Sequence, residues 1–231
     1  MKRGIRRRLV SAVLLTVAAA FLICGVGSSF YFLQTLTDQV VHDELQKLCQ
    51  ASRQIKSIQD NAVYMSRAIA IDHSIQDSIS RYSREDAVSR LFRQEDVRTR
   101  LIEYLNDKPY FYTVRIVTPQ TIYVSHSNMD RMEIRDEWYL QFKDGEENSV
   151  FTGVHESYDP ATREKVPVIS YIQRFYDLES GKMWRGDIIV DINLEYLLQN
   201  AKLDCSILNG YALYTENGNA VYEEGSFSQK E

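Results

Sequence analysis

The first hydrophobic pattern in the chain is continuous rather than periodic. Leu9 to Leu33, LVSAVLLTVAAAFLICGVGSSFYFL, runs for 25 residues without Asp, Glu, Lys, Arg or His. As a helix it would reach roughly 37 Å, against a hydrocarbon core of about 30 Å, so it is predicted to cross a membrane with some tilt. From Thr35 to about Ala70 there is neither Gly nor Pro, and apolar residues return at Val41, Leu45, Leu48, Ile55, Ile58, Ala62, Met65 and Ile69. Steps of three, four or seven predict one stripe of a long helix, and with no breaker between them the two segments are predicted to be continuous. The stripe either packs only on its own domain or adds a dimer contact along its lower part, as in a short coiled coil.

Beyond it the pattern changes twice. Asp72 to Arg84 is polar and Ser-rich and reads as a short helix and loop. A second helix is predicted from about Glu85 to Asn106, with Val88, Leu91, Phe92, Leu101, Ile102 and Leu105 facing inward and Lys108-Pro109 ending it. After Pro109 the period falls to two. Tyr110–Thr118 and Thr121–His126 read as strands joined at Pro119-Gln120, followed by a short helix at Glu137–Lys143 that stops at Asp144-Gly145. Three more strands, Val150–Glu156, Val166–Tyr176 and Trp184–Ile192, are joined by Asp159-Pro160 and Ser180-Gly181, and a helix follows at Leu194–Leu203. The order predicts an α+β module, an antiparallel sheet flanked by helices.

The tail begins again with a hairpin, Tyr211–Glu224, turning at Glu216-Asn217-Gly218-Asn219. A lone hairpin is marginal in water, so the chain is expected to stop inside a second module. The organisation expected is a basic tail (1–8), a membrane helix (9–33), a long helix with a first module (34–203) and the start of a second module (204–231).

Charge gives this plan a direction. Lys2, Arg3, Arg6, Arg7 and Arg8 precede the apolar run, and the first charge after it is Asp38, which places the N-terminus in the cytoplasm and the bulk of the chain outside the cell membrane. A cleaved signal has an apolar core of only about 7–15 residues. A lipoprotein signal needs a small residue before its cysteine, and Ile23 precedes Cys24. Residues 9–33 are therefore read as a retained anchor in contact with membrane lipid. The whole chain has 27 basic and 32 acidic residues; without the five N-terminal cations the balance is 22 against 32, a net charge of about −10, which argues against nucleic acid as a partner.

Catalytic patterns are missing from the sequence. The four histidines are dispersed, there is no His-Glu-x-x-His or paired-cysteine spacing for a metal, and no glycine-rich phosphate loop or Gly-x-Ser-x-Gly elbow. Ser125-His126-Ser127 is an isolated Ser-His pair. Cys49 and Cys205 could bridge in an oxidising exterior, or remain two thiols. Neither an enzyme nor a cofactor is expected.

A membrane helix, a long rising helix, a PAS-like sheet with Arg135, Trp138 and Tyr139, and a strand Gly186-Asp187-Ile188-Ile189-Val190-Asp191-Ile192 before a helix together resemble the extracellular double Cache sensory domain. Such domains occur on bacterial receptors, notably two-component sensor histidine kinases and chemoreceptors. The resemblance implies signal transduction through a small-molecule ligand, an amino acid or carboxylate, bound by the first module; the partner expected along the long helix is a second copy of the chain, as a homodimer. It implies as ligand-binding residues Arg135, Trp138 and Tyr139 for the carboxylate end, and Asp159 and Asp191 for an ammonium group. The sequence departs from the family pattern in having two residues rather than one between Arg135 and Trp138, and Ser157 where a Tyr is usual. The alternative from another class is a membrane-anchored interaction module whose sheet binds a polypeptide.

Overall fold

The computed structural model describes residues 2–82, 86–125, 134, 136–158, 165–200, 210–214 and 220–225, with side chains for those of 14–82, 86–125, 134, 136–158 and 165–199. It forms two compact units, Met1–Cys49 and Gln50–Glu231. Helix α1 runs Lys2–Ala70 and is the one helix among the described residues long and apolar enough to cross a membrane. In and just beyond its apolar run three hydroxyls bond within the helix: Ser28 donates to the Gly25 carbonyl, Thr35 to Tyr31 and Thr37 to Leu33.

Two short helices follow, α2 (His73–Arg81) and α3 (Ala87–Leu105). Each starts on an aspartate whose carboxylate accepts from the first-turn amides: Asp72 from Ser74 and Ile75, Asp86 from Ser89. Then come β1 (Phe111–Val117), β2 (Ile122–Val124), α4 (Glu137–Asp144), β3 (Ser149–Tyr158), β4 (Lys165–Tyr176), β5 (Trp184–Asn193) and α5 (Leu194–Asn200). The five strands form an antiparallel sheet in the order β2-β1-β5-β4-β3, so β5, last in sequence, lies in the middle. A hairpin of β6 (Gly210–Tyr214) and β7 (Ala220–Gly225) forms a separate two-stranded sheet. The predicted α+β architecture is present.

Period two along β5 sends its side chains to two covered faces. On one, Ile188, Val190 and Ile192 join Val114, Ile116, Tyr171 and Phe175 against Ile58, Ala62, Met65 and Ile69 of α1, Ile75 and Ile79 of α2, and Val97 and Leu101 of α3. On the other, Ile189 and Ile172 pack beneath Tyr139 and Phe142 of α4. The α1 stripe is thus buried from Ile58 to Ile69, while Val41 and Leu45 are exposed. The inward face predicted for α3 is corrected. Val88, Leu91 and Phe92 are 60%, 60% and 69% exposed, Ile102 is exposed as well, and the helix reaches the core through Val97 and Leu101.

Gly186 opens the buried run of β5. A Cβ there would collide with the Val117 carbonyl oxygen across the strand pair and lie 3.0 Å from Cε1 of Phe175, so crowding by backbone is what selects glycine. Gly186→Ala is expected to destabilise the fold by about 3 kcal/mol, at the upper end of overpacking effects. Thermal unfolding of the full chain in detergent micelles would show it as a midpoint several degrees lower, and a midpoint within one degree of wild type would contradict it.

Candidate ligand-binding site

The face of the sheet under α4 is apolar in the middle and polar at both ends. At one end stands Asp191, fully buried on the central strand. Ser170 of β4 is its cross-strand partner, and Thr113 of β1 lies opposite on the other side. Two residues along β1, Arg115 shares that face and places Nη2 at 2.7 Å from Oδ2 and 2.9 Å from Oδ1 of Asp191. The Ser157 hydroxyl donates to Oδ2 at 2.8 Å, and the Ser170 hydroxyl donates to Oδ1. An ionised carboxylate has about four acceptor positions. All four of Asp191's are occupied.

A β-bulge brings the third strand into the site. The β3–β4 register runs Phe151↔Tyr171 and then Val154↔Ile169, so β3 carries one extra residue at Thr152-Gly153. Before the bulge an even residue, Val150, packs on the α4 face and Phe151 on the core face. After it the parity is reversed, and His155 and Ser157 turn to the α4 side. The Thr152 hydroxyl oxygen accepts from the Ser170 amide at 3.0 Å, replacing a ladder bond at the bulge.

His155 extends the array. Its Nε2 lies 3.1 Å from Ser170 Oγ, and its Nδ1 lies 3.2 Å from Thr152 Oγ1 and 3.1 Å from the Gly153 carbonyl. Because the Ser170 hydroxyl proton goes to Asp191, the neutral imidazole must donate from Nε2 to Ser170 Oγ and accept at Nδ1 from Thr152. Protonation would place a hydrogen on Nδ1 and turn it to the Gly153 carbonyl. Trp138, from the first turn of α4, stacks on the His155 ring with centroids 4.0 Å apart and planes 25° apart, and the Arg115 guanidinium carbon is 5.7 Å from the Trp138 ring centre.

The other end of the face is built around Asp187, also buried, four residues and roughly 13 Å along β5 from Asp191. Tyr139 donates its hydroxyl to Oδ2 at 2.8 Å, and Trp184 donates Nε1–H to Oδ1 at 3.1 Å. Burial raises the Asp187 carboxyl above the usual carboxylate range, against the lowering effect of these two donors, and burial beside Asp187 raises the Tyr139 phenol. A cleft of about 310 Å³ opens here, lined among others by Val117, Thr118, Tyr139, Lys143 and Trp184.

Of the residues the resemblance points to, the structure joins Trp138 and Asp191 in one cluster through His155 and Arg115. Tyr139, next to Trp138 on the helix, points instead to Asp187. Arg135, Asp159 and Cys205 lie outside the described residues. Arg115 and His155 are members of the cluster that the sequence did not single out, although an arginine within the apolar strand FYTVRIV signals a buried counter-charge. Ser125, half of the Ser-His pair, is a structural hydroxyl, bonded at 3.1 Å to Thr113 and accepting from the Val114 amide.

No family model matches the chain, and no curated protein matches it by sequence. Solved structures do. A domain of a sensory box/GGDEF family protein from Vibrio parahaemolyticus has a TM-score of 0.53 at 14% identity, over 76% of this chain and 64% of that one. The extracellular domain of a protein described as a histidine kinase has a TM-score of 0.50 at 11% identity, over 69% of this chain and 59% of that one. The fold is PAS/Cache-like. The chain spans about three fifths of the length of these two domains. A more distant likeness, TM-score 0.46 at 13% identity over 77% of this chain and 69% of that one, is to the sensory domain of the Campylobacter jejuni chemoreceptor Tlp3 with isoleucine bound.

Two outcomes follow from the cluster. Asp191→Ala leaves the Arg115 guanidinium, 14% exposed, without its counter-charge, and is expected to cost about 3–5 kcal/mol, whereas Arg115→Met with Asp191→Leu recovers most of it. Urea unfolding of the two variants beside wild type measures this, and equal midpoints for Asp191→Ala and wild type would refute it. Burial also lowers the His155 pKa from its ordinary 6.5, so the unfolded chain binds the proton more readily than the fold does. Stability attributable to His155 is complete above about pH 6.5 and declines as pH falls from there toward the depressed native pKa. Comparing wild type with His155→Gln between pH 8 and 5 should show the wild type losing stability more steeply as the pH drops; parallel curves would exclude the linkage.

Proposed function

We propose that the part of the chain beyond the membrane helix is an extracellular small-molecule sensing domain of a membrane-bound signal-transduction receptor, acting by binding rather than by catalysis. The observation that carries this reading is the ion pair of Arg115 and Asp191, extended by His155 and roofed by Trp138, on the α4 face of a Cache-like sheet. A buried ion pair with an aromatic lid is poor value as a stabilising device compared with apolar packing, which suits a recognition site better than a structural one. The fold shared with sensory domains and the apolar α1 support the same reading. The basic N-terminal flank supports a cytoplasmic start and an extracellular domain.

One observation favours the interaction-module alternative. The exposed row Val88, Leu91 and Phe92 on α3 is a surface that a polypeptide could cover. A thermal-shift screen of the full chain in detergent micelles, using L-amino acids and small carboxylates, separates the readings. A ligand at 100 times its dissociation constant should stabilise by about 2.7 kcal/mol, a midpoint rise of a few degrees, lost in Trp138→Ala. Absence of any saturable rise would defeat the sensing reading in favour of the interaction module.

A further inference from the structure

Trp138 covers an imidazole whose hydrogen bonds fit its neutral form. The Thr152 hydroxyl oxygen accepts from the Ser170 amide and its proton goes to His155 Nδ1, while His155 Nε2 donates to Ser170 Oγ. A proton on Nδ1 ends the bond from Thr152. Nδ1 then donates to the Gly153 carbonyl 3.1 Å away, and the Thr152 hydroxyl, 7% exposed, is left without its acceptor. The charged groups facing the ring are Arg115 on β1, Asp191 on β5 and Asp136 at the start of α4; β4 presents the neutral Ser170. Withdrawal from water is the largest influence and holds the ring's pKa below its ordinary value, with Arg115 acting the same way and the Gly153 carbonyl, Asp191 and Asp136 opposing it. A stacked indole favours a cation, but the Arg115 guanidinium already lies 5.7 Å from the Trp138 ring centre.

A conformation that lowers a group's affinity for a proton is itself disfavoured once the proton is bound. The cover over His155 is Trp138, held by ring contacts at an end of α4 where Asp136 makes no side-chain capping bond. We propose that His155 makes Trp138 a proton-gated cover: uptake of a proton shifts the domain toward conformations in which Trp138 has left the imidazole, so acidity outside the cell is itself a stimulus to which the domain responds. This rests on the sensing reading only in placing the sheet outside the cell. The response is confined to one attachment of α4. At the other, Asp187, faced by Tyr139, Trp184, Arg174 and Lys143, tolerates burial better as the neutral acid, so acid does not release it.

The chain contains two tryptophans, Trp138 and Trp184, so labelling with 5-fluorotryptophan gives one fluorine signal for each, assigned with Trp184→Phe. The full chain in detergent micelles is titrated from pH 8 to 5, in light and in heavy water, without any ligand. The Trp138 signal should move with a midpoint below pH 6.5, and its solvent-isotope shift, which reports exposure to water, should at least double in acid. The Trp184 signal should not follow that midpoint. His155→Gln should abolish both changes at Trp138. Thr152→Val removes the donor to Nδ1 and should raise the midpoint toward 6.5. A Trp138 signal that is constant from pH 8 to 5, or that titrates identically in His155→Gln, would overturn the proposal. A titration with no gain in exposure would overturn it too, because the proton would then be taken up beneath the indole. An unchanged midpoint in Thr152→Val would remove Thr152 as the residue that fits the ring to its neutral form. None of these results depends on a bound ligand, so the sensing reading stands or falls on the ligand screen alone.

Discussion

Two carboxylates buried in the central strand are the constraint around which this sheet is arranged. β5 has Ile188, Ile189, Val190 and Ile192 fully buried, yet it carries Asp187 and Asp191 among them, both on the face opposite the helical core. A carboxylate withdrawn from water needs donors or a shifted pKa. At Asp191 three side chains from three strands, Arg115, Ser157 and Ser170, donate four hydrogen bonds. At Asp187 there are two neutral donors, Tyr139 and Trp184, and burial pushes the carboxyl toward its protonated form. The same residue type on the same face is thus paired with an arginine at one end and a weaker acid at the other.

That demand reaches into the neighbouring strands. Arg115 interrupts the apolar alternation of β1, Ser170 replaces a hydrophobe on β4, and the bulge at Thr152-Gly153 turns β3 over so that His155 and Ser157 face the carboxylate. Without the extra residue Phe151 and His155 would lie on one face. With it, Phe151 packs in the helical core against Tyr171 at 4.7 Å between ring centres, and His155 lies under Trp138. One bulge therefore separates an aromatic core residue from a titratable site residue four positions away.

Much of this fold was legible in the sequence because regular elements leave long periodic traces. The apolar run and breaker-free stripe of α1, the five strands and the second hairpin all stand where alternation and turn residues place them, with ends differing by a few residues. What the pattern misjudged has a physical reason. Val88, Leu91 and Phe92 keep helical spacing, but α3 meets the sheet only through its later turns, and spacing alone cannot say where a helix makes contact. Trp138 and Tyr139 looked like one pair in sequence. Adjacent helical residues diverge by about 100°, and this divergence sends one to the Asp191 cluster and the other to Asp187. His155 was illegible because its orientation depends on a one-residue slip between strands, which leaves no mark in either strand's own pattern.

The fastening of α4 to the sheet is uneven along its length. At its C-terminal end Arg174 donates from Nη2 to the carbonyls of Phe142, Lys143 and Gly145, at 2.9, 3.1 and 2.6 Å, and lies over the Phe142 ring. These bonds satisfy helix-terminal carbonyls with a cation placed where the helix dipole favours one. In the middle of the helix Tyr139 is bonded to Asp187. At the N-terminal end Asp136 makes no side-chain capping bond, and Trp138 is held by stacking on His155 and proximity to Arg115. Stacked rings slide at little energetic expense compared with breaking buried hydrogen bonds to charged groups. The end of α4 over the Arg115–Asp191 pair is therefore held by ring contacts, while its middle and its C-terminal end are hydrogen-bonded to the sheet.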